Sequence, residues 1–433
     1  MARSAATARR SLIPEDAVFD IVAVLVVLTA TFSYLNHRFL KFPMTIGVMT
    51  IALALSLAVM ALDKLGFGVP RGSEHALLAS IDFTDVLMQG MLSFLLFAGA
   101  LHVDLKSLRQ VAWQVAALAV VGTALSTLIV GYGSWYALGA LGISISLVHC
   151  LLFGALISPT DPIAVLGILK SAKVAARVEA TIAGESLVND GIGVVLFALL
   201  LGMLESGVVP SAATALTVFA REAIGGALFG IALGYAVYRV LHTIDNAQIE
   251  VLITLATVVG GYALAYHLHV SGPLAMVASG LLIGSEGRAR AMSERTRLHL
   301  DIFWQLLDEL LNGVLFLLIG LEFALIAFPA SAFDAVLLVV ALTIVARYLV
   351  VGVPATLWRR WFGLPPGSGL VLTWGGVRGG ISVALALSLP PGEGRDVVLM
   401  LTYAVVVFSI LGQGLTVGRL ARALRLGADQ RRG

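Results

Sequence analysis

The chain contains a single cysteine, Cys150, among 433 residues. One thiol builds neither a disulfide framework nor a cysteine-based metal cluster, and in an apolar run it reads as a small packing residue. Charge is also scarce. Asp, Glu, Lys and Arg together make up 12% of the residues, where a soluble domain carries about 25%. Phosphate-loop, dinucleotide and zinc-ligand spacings are missing in the context each needs. ATP-driven transport and metal hydrolysis are therefore without support, and no cofactor is expected.

What is present in excess is apolar. Hydrophobic residues reach 59%, with 45 glycines, and the mean hydropathy is +0.97, a mixture suited to close-packed membrane helices. The expected class is an all-α polytopic membrane protein. Apolar segments long enough to cross a hydrocarbon layer of about 30 Å fall near 18–36, 44–62, 81–102, 111–137, 143–169, 181–204, 214–241, 249–268, 272–285, 302–326, 333–357, 368–389 and 396–417. That is about thirteen spans. They follow a short basic tail, 1–17, with no small-residue cleavage site before the first span, which is read as retained. A short basic tail, 418–433, ends the chain. An odd number of spans puts the ends on opposite sides. Most Lys and Arg residues in the connections, among them Lys170, Lys173, Arg359 and Arg360, fall on the side of the C-terminal tail. That side is expected to be cytoplasmic, with the N-terminus outside and the protein in the cell (inner) membrane.

Two arginines, Arg347 and Arg378, fall inside predicted spans. At about 2.5 to 3.5 kcal/mol or more for an intramembrane arginine, each needs a buried partner or a water-filled cavity.

Two spans are interrupted. The fifth contains Ser158-Pro159-Thr160-Asp161-Pro162, where prolines remove amide donors and push Asp161 out of helical geometry. The twelfth contains Gly375-Gly376-Val377-Arg378-Gly379-Gly380, four glycines around one charge. The breaks lie an odd number of spans apart, as two inverted six-helix repeats would place them, and broken helices at equivalent positions point to a midplane site. Unwound backbone needs a polar centre to satisfy it. There, Asp161 and Arg378 would offset the ends of crossed half-helices. A plainer reading of the first break is an ordinary proline kink at a loop end.

Between the breaks lies Gly184-Glu185-Ser186-Leu187-Val188-Asn189-Asp190-Gly191. Glu185 and Asn189 stand four apart on one helical face, Ser186 and Asp190 on the adjoining one. A carboxylate beside hydroxyls and loose carbonyls is a hard ligand set, suited to Na⁺ or Li⁺. The same carboxylate can take a proton instead. Cation and proton then compete for Asp190, and either one cancels its charge. Because Asn189 is neutral, exchange would run one for one and avoid the ~2.3 kcal/mol per 100 mV felt by a net charge. Glu185 is assigned to a buried salt bridge with an intramembrane arginine.

The three motifs, Ser-Pro-Thr-Asp-Pro-Ile-Ala-Val at 158–165, Gly-Glu-Ser-Leu-Val-Asn-Asp-Gly at 184–191 and Gly-Gly-Val-Arg-Gly-Gly at 375–380, resemble those of the NhaP-type sodium/proton antiporters, prokaryotic relatives of the eukaryotic NHE exchangers. The likeness in span layout extends over nearly the entire chain. It implies a homodimer with the NhaA-type fold, crossed discontinuous helices five and twelve, and a core domain (helices near 81–204 and 302–417) that moves against a dimerisation domain (helices near 18–62 and 214–285) within 18–417. By that resemblance Asp190 carries cation and proton, Thr160, Ser186 and the Asp161 region complete the site, and Asn189-Asp190 looks like the pair of the electroneutral branch. Glu185 matches a glutamate that pairs with an arginine, with Arg347 the first choice and Arg378 the second. One departure concerns Leu-Leu-Phe-Ala-Gly-Ala-Leu at 95–101, where Ala98 stands in a motif position at which many relatives have glutamate.

The histidines at 102, 149, 242, 267 and 269 lie near predicted span ends and read as interfacial or hydrogen-bonded groups, and Asp308, Glu309, Asn312 and Glu322 as helix-contact or cavity-lining residues. The alternative functions are a sodium-coupled organic solute symporter of the same fold and an intramembrane hydrolase that would use Asp161 and Asp190 as a paired-acid dyad.

Overall fold

The computed structural model describes residues 15–65, 91–161, 163–288, 291–323, 326, 332–424 and 426. Most of the expected N-terminal tail, residues 81–90 of the third predicted span and half of the C-terminal tail lie outside them. The described residues are mostly helical, joined by turns and loops, and form no strand. In chain order the helices are α1 (Glu15–Leu35), α2 (Met44–Lys64), α3 (Leu92–Leu101), α4 (Leu105–Gln110), α5 (Ala112–Ala117), α6 (Thr123–Ala140), α7 (Leu147–Ile157), α8 (Ile163–Ser171), α9 (Ala176–Ser206) and α10 (Ala212–Leu241). There follow α11 (Ala247–His267), α12 (Gly272–Leu282), α13 (Glu294–Glu322), α14 (Phe333–Arg347), α15 (Val353–Leu357), α16 (Arg359–Phe362), α17 (Ser368–Trp374), α18 (Gly380–Leu387), α19 (Glu393–Phe408) and α20 (Leu415–Ala423). Among the described residues nine continuous helical stretches are long and apolar enough to cross a membrane, and α3 and α7 are shorter apolar helices. The chain is thus a multi-pass membrane protein.

The chain divides into two compact units, residues 1–86 with 309–326, and residues 87–308 with 327–433. In the first, Phe32, Val48, Ala52 and Leu317 form an apolar cluster, and Ser56 Oγ donates to the Leu321 carbonyl at 2.9 Å. Asn36 closes the α1–α2 turn by donating to the Phe42 carbonyl (2.9 Å) and accepting its amide (3.2 Å). A buried amide side chain thus satisfies main-chain groups that the turn would otherwise leave unpaired.

In the second unit, small residues bring backbones close together. Gly226, Gly230 and Gly234 recur every fourth residue of α10 and face Ser271, which caps α12, and Ala275 and Ser279 within it. The other side of α12 lies on α3, where Gly280 meets Phe97 and Ala100. Trp304 is fully buried here, its ring centroid 4.8 Å from that of Phe97 and its Nε1 donating to Thr254 Oγ1 at 3.0 Å. At the start of α4 the exposed Asp104 caps the helix through the amides of Lys106 and Ser107, both at 3.1 Å. The Ser107 hydroxyl, followed by these amides, holds its carboxyl below the usual carboxylate range.

At 31 residues α9 is the longest helix of this unit, and it packs on α5, α7, α10 and α12. Its central turns are buried on nearly every side, from Thr181 to Gly193, which is how two carboxylates come to lie inside an apolar protein. Both expected interruptions are present: α7 stops at Ile157 and α8 starts at Ile163, while α17 stops at Trp374 and α18 starts at Gly380. The two breaks touch, since the Asp161 amide donates to the Val377 carbonyl at 2.7 Å.

Candidate functional site

Seven of the eight residues singled out by sequence, all but Asp190, converge through hydrogen bonds or close packing in the second unit, around the broken segments and the middle of α9. Ser158 and Pro159 end α7 with carbonyls that the helix leaves unpaired. Arg378, itself buried, fills that need: its Nη1 donates to the Ser158 carbonyl at 2.6 Å and to the Pro159 carbonyl at 3.1 Å. A guanidinium on the negative end of a helix is the favourable pairing for the peptide dipoles. On the other side of the break Asp161 lies against Gly379, the residue before α18, so closely that a methyl added to Gly379 would overlap its carboxyl. The acid thus sits at the start of one half-helix and the base at the end of another.

Thr160 is held by α9. Its amide donates to Asn189 Oδ1 (3.3 Å), its Oγ1 accepts from Asn189 Nδ2 (3.0 Å), and it shares a hydrogen bond with Ser186 Oγ at 2.9 Å. Asn189 therefore clamps the break onto α9 with both ends of its amide, and it also donates to Glu185 Oε1 at 3.4 Å.

Glu185 is paired with Arg347 rather than Arg378. Arg347 Nη1 meets Oε1 at 2.5 Å and Nη2 meets Oε2 at 2.7 Å, a two-pronged contact with both side chains buried. Arg347 Nη2 also donates to the Leu372 carbonyl at 3.4 Å, which joins the end of α14 to α17. Two cavities of about 10 Å³ adjoin Arg347, one lined by Thr343, Gly376, Arg378 and Gln413, the other by Thr123, Ser126 and Ser158. Each has room for about one water with polar neighbours.

Asp190 is buried, one turn beyond Ser186. Among the described residues its carboxylate has no hydrogen-bond or ion-pair partner, although Asp161 and Glu185 lie near enough to act on it electrostatically. Ala98 packs with Phe97, Leu187 and Met276 in an apolar cluster, and its carbonyl accepts a hydrogen bond from His102 Nδ1 at 2.8 Å.

Sequence reasoning does not single out Ser409 and Gln413. The Arg378 amide donates to Ser409 Oγ at 2.9 Å, and that hydroxyl donates to Gln413 Oε1 at 2.5 Å. Both lie in a π-helical segment, Ser409–Gly414, between α19 and α20. The one signal pointing to them is a glutamine one turn after a serine in an otherwise apolar span.

Gly379→Ala is expected to displace the Asp161 carboxyl and to lower the thermal midpoint, with overpacking of this kind costing about 1 to 3 kcal/mol. Unchanged melting and unchanged activity would show that the contact yields without consequence.

A membrane protein whose two interrupted helices meet beside a buried carboxylate, itself without a cationic partner among the described residues, has the build of a carrier for small ions. The family described as "Sodium/hydrogen exchanger, transmembrane" matches residues 24–423, and the chain belongs to it. It is 48% identical over 414 residues to the Na⁺/H⁺ antiporter NhaP of Pseudomonas aeruginosa, a match that covers 95% of this chain and 98% of that protein. With the Na⁺/H⁺ antiporter NhaH of Halobacillus aidingensis it shares 35% identity over 382 residues, 87% of this chain and 92% of the relative. Its fold is similar to that of the sodium proton antiporter MjNhaP1 from Methanocaldococcus jannaschii at pH 8, with a TM-score of 0.74 at 21% identity over 95% of this chain and 99% of the other.

Proposed function

We propose that the chain is a secondary antiporter that exchanges Na⁺, Li⁺ or K⁺ for H⁺ across the cell membrane, one for one, with Asp190 binding cation and proton in turn. The observation that carries this reading is the contrast between the two carboxylates of α9. Glu185 is neutralised by Arg347, whereas Asp190 has no cationic partner among the described residues. A buried ionised carboxylate without a partner is strongly disfavoured, so Asp190 must take up a proton or a cation. Thr160 and Ser186, whose hydroxyls meet one helical turn before Asp190, offer a hard oxygen set for an alkali cation, and the break at Asp161 supplies main-chain polar groups. Each bound ion cancels the same single charge, and the loaded carrier is neutral in both directions.

The names of the relatives support the same reading, which is transport and not catalysis. Asp161 and Arg378 serve to compensate the half-helix ends, and Glu185 with Arg347 as a structural pair. From the family likeness we further propose two inverted six-helix repeats among thirteen spans, crossed helices at the two breaks, a homodimer with separate core and dimerisation helices, and a cytoplasmic C-terminus. Reconstitution tests the function. In proteoliposomes, external Na⁺ or Li⁺ is expected to dissipate a preset pH gradient at a rate that is unchanged when the membrane potential is clamped at zero. Strong dependence on potential would overturn one-for-one exchange, and no cation-dependent proton movement would overturn the function itself.

A further inference from the structure

We infer that the second unit carries a binding site for the headgroup of an anionic membrane phospholipid, built from Trp358, Arg359, Arg360 and Trp361 together with Lys173 and Arg177. The centre of the site is the short helix α16 and the turn before it, Leu-Trp-Arg-Arg-Trp-Phe at 357–362. Leu357, Trp358 and Trp361 are 71%, 54% and 73% exposed. Large apolar surfaces facing water would be unfavourable, and arginines facing lipid tails more so. Only the headgroup layer satisfies both, because indole rings settle there and guanidinium groups pair with phosphate. Phe362 is buried and packs near both indoles, its ring centroid 6.5 Å from Trp358 and 6.3 Å from Trp361.

Other segments add charge of the same sign. Arg177, at the start of α9, donates through Nη1 to the Gly363 carbonyl at 3.5 Å. Gly363 has a φ of 61°, and a Cβ there would overlap the Arg177 guanidinium. The Ala175 amide donates to the Leu426 carbonyl at 3.1 Å, and Gly367 packs against Leu424, so the end of α20 with the exposed Arg422 borders the same surface. No acidic residue occurs within 163–178, 353–378 or 409–424. The nearest carboxylate along the chain, Glu179, is one half-turn further into α9. A basic surface framed by indoles, with many more basic than acidic groups, is complementary to a phospholipid phosphate, and an acidic leaflet supplies it at high local concentration.

The position gives the lipid leverage. α8 and α17 run from the two breaks to this surface, with nine and seven residues, or about 13 and 10 Å at 1.5 Å per residue. A headgroup bound across Lys173, Arg359 and Arg360 holds the outer ends of both half-helices.

The test follows the thermal midpoint of the purified full chain in detergent as phosphatidylglycerol, phosphatidylcholine or soluble glycerol phosphate is added. Phosphatidylglycerol is expected to raise it saturably in wild type and in Arg239→Gln, which removes a basic residue at the end of α10. In Arg359→Gln/Arg360→Gln the apparent affinity is expected to fall about 30-fold, the loss of two charges worth ~1 kcal/mol each. Phosphatidylcholine and glycerol phosphate are expected to have no effect. Equal phosphatidylglycerol affinity in the double variant overturns the site, and an equal response to glycerol phosphate assigns it to a soluble anion instead. Should the double variant not fold, Lys173→Asn, which keeps a residue that tolerates the φ of 52° found there, is expected to lose about fivefold. Unchanged affinity in that variant overturns the proposal.

Discussion

Asp190→Asn is expected to reduce cation-dependent proton movement in proteoliposomes to the level of protein-free vesicles, while the protein folds and melts near the wild-type temperature. An amide fills the same volume but neither takes up a proton nor balances a cation, so both halves of the cycle are lost together. Stability is expected to be preserved, since the wild-type carboxylate has no hydrogen-bond or ion-pair partner among the described residues and the substitution removes a charge that the apolar surroundings oppose. The result combines lost transport with retained folding, which separates a carrier from a strut. Undiminished exchange in the variant would sink the assignment of Asp190.

The opposite combination is expected at the Glu185–Arg347 pair. Removing one partner, as in Glu185→Gln or Arg347→Ala, leaves the other charge buried and unmatched, which typically costs about 3 to 5 kcal/mol. Thermal midpoints in detergent are expected to fall steeply for either variant. Glu185→Leu with Arg347→Met is expected to melt above both singles, because no orphan charge is left. The reversed pair, Glu185→Arg with Arg347→Glu, is expected to recover part of the loss. Recovery will be incomplete, because Asn189 donates to Glu185 Oε1 and the Leu372 carbonyl accepts from Arg347, and neither contact survives reversal unchanged. Equal melting of the singles and the wild type would show that the pair contributes nothing to stability.

The membrane class, both helix interruptions and the buried charges beside them are legible in the sequence because each follows from a local physical constraint. Prolines at 159 and 162 cannot continue a hydrogen-bonded helix, glycines at 375, 376, 379 and 380 weaken one, and isolated charges in apolar spans demand partners. Local constraints demand a partner for Glu185 without deciding between the two arginines. The pairing depends on how α14 packs on α6 and α19, neighbours far away in the chain, and this is what carries Arg347 to Glu185. The same holds for Ser409 and Gln413, which reach the Arg378 amide only because a π-helical segment between α19 and α20 carries them there. In the sequence Asn189 is no more than a neutral neighbour of the carrier aspartate, and its grip on Thr160 becomes visible only when the break is placed against α9.

The joint between the two interrupted helices is written largely in main chain: an amide of one meets a carbonyl of the other, and a single arginine spans two more carbonyls. Such joinery is indifferent to most side chains. It asks only for an arginine, for glycine where Asp161 presses close, and for backbone free to leave the helix. A joint of this kind leaves the residues around it free to vary, and the fold is similar to that of MjNhaP1, with a TM-score of 0.74 at 21% identity.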